Sequence, residues 1–202
     1  MRGDAAVPAR SVTGAILAGG AGVRMEGRDK GLEPLAGRPL IGWVVDALRP
    51  QVDELLIVAN RHLGDYARYA PAISDGAEGF RGPLAGLAAG LDAIRHDWML
   101  SVPVDCARPP ADLAARLLAA AAGGAPALVV HDGERRQPLF ALYARRLAGS
   151  ARRAGTDDMP VWRWQDAIGA QEVDCSALRS AFANLNTPED FVEFERHLDV
   201  RS

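Results

Sequence analysis

Val12-Thr13-Gly14-Ala15-Ile16-Leu17-Ala18-Gly19-Gly20-Ala21-Gly22-Val23-Arg24-Met25-Glu26-Gly27-Arg28-Asp29-Lys30-Gly31 is the stretch from which the rest of the chain is read. Val12 to Leu17 is a short, mostly apolar segment that runs into glycines, the pattern of a buried strand followed by a turn. A glycine loop after a buried strand lets backbone N–H groups approach an anion with no Cβ in the way. Arg24 and Lys30 add positive charge. These residue types read as a polyphosphate cradle; the alternative is a surface turn in a glycine-rich chain. Two better-known loops do not fit. The dinucleotide fingerprint starts at Gly20-Ala21-Gly22, but its last glycine position holds Met25, and the second strand ends at Asn60 rather than at an acid. The P-loop needs Gly-Lys-Ser/Thr, whereas Lys30 lies between Asp29 and Gly31.

Outward from this loop, strands and helices alternate. Pro39 opens a helix with Leu40, Ile41, Val44, Val45 and Leu48 at helical spacing, and Pro50 closes it. Leu55–Ala59 and Ala72–Ser74 read as strands. Pro83 opens a helix with Leu84, Leu87, Leu91 and Ile94 on one stripe. Trp98–Val104 is a strand that stops at Asp105. A helix over Ala111–Ala122 and strands over Ala127–Val130 and Leu139–Tyr143 follow. Thr187-Pro188-Glu189-Asp190 starts a last helix: a hydroxyl cap, proline at the first position, acids in the first turn. Phe191, Phe194 and Leu198 follow at helical spacing. This alternation predicts an α/β fold: one domain over residues 12–202, a mostly parallel sheet with helices on both faces. Residues 1–11 read as a disordered tail without the apolar core of a signal peptide. In such sheets ligands bind beyond the carboxyl ends of the strands, which selects Leu17–Lys30, Asn60–Arg61, Asp75–Gly86 and Asp105 as the rim.

Composition excludes several classes. The chain has 202 residues, 49% hydrophobic and 24% charged, which is globular rather than disordered. With 26 acids against 23 bases the formal charge is -3, without the basic excess of a nucleic-acid binder. Two cysteines, Cys106 and Cys175, are too few for a disulfide framework. No apolar run approaches the roughly 18–20 residues of a membrane span, and a reducing cytoplasm is the expected compartment. Lys30 is the only lysine among the 23 bases, and asparagine occurs only as Asn60, Asn184 and Asn186. A general drift toward Ala, Arg and Gly accounts for the background. Of these exceptions, Lys30 and Asn60 fall on the rim.

Leu17-Ala18-Gly19-Gly20, Arg24-Met25 and Asp29-Lys30-Gly31 together resemble the signature of nucleotidyltransferases that activate molybdopterin, most closely the molybdenum cofactor guanylyltransferase family. Further matching stretches follow in order: Gly37-Arg38-Pro39-Leu40, Ala59-Asn60-Arg61, Asp75, Gly82-Pro83-Leu84-Ala85-Gly86, Pro103-Val104-Asp105, the segment from Val130 to Arg135, and Asn184-Leu185-Asn186-Thr187-Pro188. The resemblance runs from Thr13 to about Phe194. It implies a Rossmann-like nucleotidyltransferase fold, transfer of GMP from GTP to molybdenum-bearing molybdopterin, and release of pyrophosphate. The partners it implies are GTP, molybdenum-molybdopterin, and proteins that build or accept the cofactor; neither nucleic acid nor membrane is expected.

The resemblance also implies roles. Lys30 and Arg24 would hold the triphosphate, and Asp105 would carry Mg²⁺, making these three the catalytic set. Leu17, Ala18, Gly19, Gly20, Asp75, Gly82 and Pro83 would join Lys30 and Asp105 around GTP. Asn184 and Asn186 fall on the molybdopterin side. Ala18-Gly19-Gly20 matches the guanine-selecting form, where cytidylyltransferases carry Ala-Ala-Gly. Trp162 and Trp164 read as core or edge-strand aromatics. Arg135-Arg136, Arg145-Arg146 and Arg152-Arg153 read as solvated faces, and Cys106 as a bystander. Three positions depart from the pattern: Glu26 stands where glycine is usual, Val58 where asparagine is frequent, and Gly155-Thr156-Asp157-Asp158 where relatives are more basic. A cytidylyltransferase, a sugar-phosphate nucleotidyltransferase and a non-catalytic nucleotide-binding module are the competing readings.

Overall fold

A computed structural model describes residues 11–19, 29–76 and 82–199. Its strands are β1 (Val12–Leu17), β2 (Pro34–Leu35), β3 (Arg38–Pro39), β4 (Glu54–Val58), β5 (Ala72–Ile73), β6 (Trp98–Pro103), β7 (Ala127–His131), β8 (Arg136–Ala144) and β9 (Gln171–Asp174). Its helices are α1 (Leu40–Leu48), α2 (Leu63–Tyr66), α3 (Pro83–Ala93), α4 (Leu113–Ala120), α5 (Ala148–Thr156), α6 (Val161–Ala167) and α7 (Pro188–Asp199). Gly20, Arg24, Glu26 and residues 1–10 lie outside the described residues, as does the side chain of Leu198.

Seven strands form one sheet in the order β5-β4-β1-β6-β8-β7-β9, and β2 and β3 form a small antiparallel pair. β1 pairs in parallel with β4 and with β6, β4 with β5, and β7 with β9. Only β8 runs against its neighbours β6 and β7. The chain leaves β1 toward β4 on one side and later returns to β6 on the other. The ends of β1 and β6 therefore flank a topological switch point, where open α/β sheets bind ligands.

Alternation along the strands sends side chains into two cores. Val12 and Ile16 of β1, with Leu100 and Val102 of β6, pack under α1 and α4. Ala15, Met99, Ala127 and Val129 pack under α3, α5 and α6. All five apolar positions expected of the first helix are buried in α1, and Leu84, Leu87 and Leu91 are buried on α3. Truncating any of these leucines to alanine costs about 2–5 kcal/mol. α3 also carries glycines where it meets the sheet: a Cβ on Gly90 would come within 2.8 Å of the Met99 sulfur, and one on Gly86 within 3.7 Å of Leu17. The start of α3 thus lies close over the ends of β1 and β4.

The structure revises several readings. The strand expected over Leu139–Tyr143 begins at Arg136 and is antiparallel, because the link Asp132–Arg135 is far too short for a crossover. The Ala111–Ala122 helix begins at Leu113. Trp162 and Trp164 lie on α6, not on an edge strand; Trp164 is buried against Tyr143, and Trp162 is exposed. Arg136 is not a solvated face: its guanidinium is 22% exposed and pairs with Asp166 at 2.6 Å and Glu172 at 2.9 Å. α5, α6 and β9 had no sequence prediction. Among the described residues, no helix is long and apolar enough to cross a membrane.

Candidate active site

Two clusters meet at the carboxyl end of β1. Leu17 lies between Val58 of β4 and Pro103 of β6. Beyond it the Ala18 N–H donates to Val58 O at 2.8 Å, and the Val104 N–H donates to Leu17 O at 3.0 Å. These two bonds extend the ladders by one residue and set Gly19 and Asp105 on the same rim.

The first cluster holds Lys30, Asp105 and Asn186. Lys30 opens a 3-10 turn, Lys30–Leu32, whose N-cap is Asp29. Its ammonium donates to Asn186 Oδ1 at 2.8 Å and to Asp105 Oδ2 at 3.3 Å. An ammonium has no acceptor, so the Asn186 atom facing it is the amide oxygen and the amide NH2 points elsewhere. The Lys30 and Asp105 side chains are 19% and 20% exposed, so the pair is mostly withdrawn from water. Burial pushes the Asp105 carboxyl above the usual carboxylate range; the Lys30 charge and hydrogen bond oppose that rise. Among the described residues Asp105 Oδ1 is buried without a hydrogen-bond partner, and an unmet acceptor of this kind costs about 1–3 kcal/mol.

Asn186 arrives from far along the chain. The Leu185 N–H donates to Asp105 O at 2.8 Å, pinning the 184–187 segment to the end of β6. Leu185 is buried with Leu35, Leu40, Ala107 and Phe191 in a third small core. Thr187 caps α7 as expected, its Oγ1 accepting the Asp190 N–H at 3.2 Å. Asp190 Oδ2 accepts the N–H groups of Asn186 at 2.7 Å and Thr187 at 2.8 Å in return. These bonds hold the Asp190 carboxyl below its ordinary range. Asn184 flanks this segment and is exposed.

The second cluster holds Gly19, Asn60 and Asp75. Asn60 follows β4 and clamps Asp75 twice. Its Nδ2 donates to Asp75 Oδ2 at 2.8 Å, and its Oδ1 accepts the Asp75 N–H at 3.2 Å. A Cβ on Gly19 would lie 3.7 Å from Asn60 Nδ2, so this side of the loop passes directly over the clamp. Gly82 is the N-cap of α3 with φ 74°, a left-handed value that suits glycine, and Pro83 takes the first helical position. A cavity of about 220 Å³ opens beside Asp75 against Ala85, Ala88 and Arg152.

The structure therefore brings Leu17, Ala18, Gly19, Lys30, Asp75 and Asp105 to one rim, with the start of α3 over it. Sequence reasoning missed what orients them. Asn60 stands in the sequence as a rim residue and in a matching stretch, but its clamp on Asp75 has no local cue. Tyr66, whose hydroxyl donates to Asp29, drew no attention. Cys106 is buried, and burial foremost, with the Asp105 charge, pushes its thiol up to about 12.

Known proteins share this fold and much of this sequence. The MobA-like NTP transferase domain matches residues 14–172. The chain is 41% identical over 180 residues to a molybdenum cofactor guanylyltransferase of Vibrio vulnificus, spanning 89% of this chain and 92% of that one. It is 42% identical over 187 residues to one of Yersinia pseudotuberculosis, spanning 89% and 93%. The chain belongs to the MobA-like NTP transferase family. Among solved structures, molybdopterin-guanine dinucleotide biosynthesis protein A from Archaeoglobus fulgidus superposes with a TM-score of 0.78 at 25% identity, covering 93% of this chain and 98% of that one. A 4-diphosphocytidyl-2C-methyl-D-erythritol synthase from Anaerococcus prevotii shares the fold at a TM-score of 0.69 and 12% identity, with 94% and 96% covered. As a family member this chain is a nucleotidyltransferase acting in molybdenum cofactor biosynthesis, and its two rim clusters are the candidate nucleotide site.

Proposed function

We propose that the protein is a cytoplasmic, Mg²⁺-dependent guanylyltransferase that joins GMP from GTP to the terminal phosphate of molybdenum-bearing molybdopterin. A phosphate oxygen of the pterin forms the new bond to the GTP α-phosphorus. The bond from that phosphorus to the bridging oxygen breaks, and pyrophosphate leaves with the electron pair. The observation that carries the reading is Lys30 held between Asp105 and Asn186 at the switch point of the sheet. Transfer at phosphorus needs mainly positioning and neutralised charge, and this cluster supplies both.

Lys30 is a compact point charge on a preset turn, suited to the crowded oxygens of the leaving pyrophosphate. Arg24 is assigned to the same phosphates on the family resemblance. Asp75, fixed by Asn60, meets N–H groups of guanine or hydroxyls of ribose, while Leu17 to Gly20, Gly82 and Pro83 shape the loop and helix start that receive GTP. The positive end of α3 suits an anion there. Asn184 and Asn186 are assigned to the pterin side. Asn186 spends its carbonyl on Lys30 and keeps its NH2 as a donor for a substrate oxygen.

The residues present fit Mg²⁺. Among the described residues no three His, Cys, Asp or Glu side chains gather as a cage. Mg²⁺ does not need one, since it takes one or two carboxylates and completes its shell with phosphate oxygens and waters. Asp105, whose Oδ1 has no hydrogen-bond partner among the described residues, supplies that one carboxylate. When bound, the ion neutralises phosphate charge and shields the attacking oxygen from repulsion.

Titration calorimetry with GTP, CTP and ATP in the presence of Mg²⁺ tests the base, and GTP is expected to bind tightest. Tighter CTP binding would move the chain to the cytidylyltransferases. Incubation with molybdopterin, molybdate, GTP and Mg²⁺ is expected to give the guanine dinucleotide and pyrophosphate. Binding without product would make the chain a nucleotide-binding module.

A further inference from the structure

Lys30 ends in a long, flexible stem, so where its ammonium sits depends on where its backbone is rooted. The root is built by a residue from another part of the chain. Tyr66 is the last residue of α2 and is fully buried. Its hydroxyl donates to Asp29 Oδ1. The same oxygen accepts the Gly31 N–H at 3.2 Å, which caps the turn carrying Lys30. Gly31 is packed so tightly that a Cβ there would collide with the Tyr66 hydroxyl and come within 2.9 Å of Val104 Cγ2. Val104 immediately precedes Asp105. Gly31, beside Lys30, is thus packed between the phenol and Val104, the neighbour of Asp105, and the phenol comes from the segment that follows Asn60.

We infer that Tyr66 is a positioning residue for phosphoryl chemistry: through Asp29 it fixes the turn that aims Lys30 at the site. This rests on the reading of Lys30 given above. The phenol is suited to permanent donation, because burial, then the Asp29 hydrogen bond and charge, push its ionisation far above the ordinary tyrosine range. Nothing in the local sequence marks the pairing, since Asp29 and Tyr66 are separated by 37 positions.

The composition supplies a direct probe. Lys30 is the only lysine, so protein grown on lysine labelled with ¹³C at Cε gives one lysine side-chain signal. In the full-length Tyr66→Phe variant that signal is expected to shift toward the value of a free lysine. Pyrophosphate release with molybdopterin as acceptor should slow by about ten- to a hundredfold in kcat, with the KM for GTP changed less than about threefold. Asp29→Asn retains an acceptor oxygen and should stay within about threefold of the parent, whereas Asp29→Ala should copy Tyr66→Phe. Asp29→Ala also serves if Tyr66→Phe fails to fold, since it leaves the buried ring in place. An unmoved Lys30 signal in a folded Tyr66→Phe or Asp29→Ala variant overturns the inference, as does unchanged kcat despite a moved signal. A different failure belongs to the parent protein: if its Lys30 signal ignores added GTP and Mg²⁺, the phosphate role of Lys30 falls, while the effect of Tyr66→Phe on the signal still decides the positioning.

Discussion

Asp105 and Asp132 each follow a buried strand on the same edge of the sheet, at the ends of the two strands that flank β8. Their surroundings are opposite. Asp132 Oδ1 accepts the N–H groups of Glu134 at 2.9 Å and Arg135 at 2.8 Å, and Oδ2 accepts the Gln137 amide at 2.5 Å. Burial alone would push its carboxyl up, but those donors and the nearby Arg135 charge bring it down to about 2. Among the described residues Asp105 has Lys30 on one oxygen and no hydrogen-bond partner on the other, and burial wins. Both carboxyls are withdrawn from solvent, and Asp105 lies under more of the fold, so its desolvation is the deeper. They also differ in whether every lone pair is met among the described residues. A satisfied acid closes a turn; an unsatisfied one keeps a place for a partner from outside.

Substitutions test that contrast. Asp105→Ala should lower turnover by about 10³-fold in a pyrophosphate-release assay while thermal melting stays put or rises, because a costly unmet oxygen goes with it. Turnover retained at millimolar Mg²⁺ would remove Asp105 from the chemistry. Lys30→Arg conserves charge and follows the chain's own preference for arginine, yet a planar fork does not fit a niche cut for an ammonium between Asp105 and Asn186. Turnover should fall about 10²-fold, measured in the same assay. Near-normal turnover would make the lone lysine an accident of composition.

Asp132→Ala should do the reverse. It should leave kcat within about twofold and cost about 1–3 kcal/mol in urea unfolding, because two backbone N–H groups and the Gln137 amide lose their acceptor. Its pH dependence has a definite sign. The folded pKa lies below the ordinary value of 3.8, so the carboxylate stabilises the fold above that value. The contribution is lost as pH falls from about 4 toward about 2. The stability gap between parent and variant should therefore narrow across that window, and a gap that widens there would contradict the assigned hydrogen bonds.

Legibility from sequence follows the same division between local and distant causes. Val12–Leu17, α1 and α3 were readable because apolar spacing, Pro39 and Pro83 act within a few residues. The start of α7 was readable from Thr187-Pro188 for the same reason. β9 was not, since Gln171-Glu172-Val173-Asp174 holds one apolar residue and owes its strand to pairing with β7 at the sheet edge. The reversal of β8 has a local cue in the short Asp132–Arg135 link. At the site, Lys30 and Asp105 stood out by type and by resemblance. The Asn60 clamp on Asp75 and the Tyr66 brace on Asp29 did not, because neither exists until β4 and its following segment are laid beside β1.

The bond from Lys30 to Asn186 spans 156 positions and is seated by the Leu185 N–H on Asp105 O. Synthesis runs from Lys30 to Asn186, so β1, β4 and β6 are made well before the residue that completes this cluster. The candidate site is therefore closed by a segment made only after β7, β8 and β9.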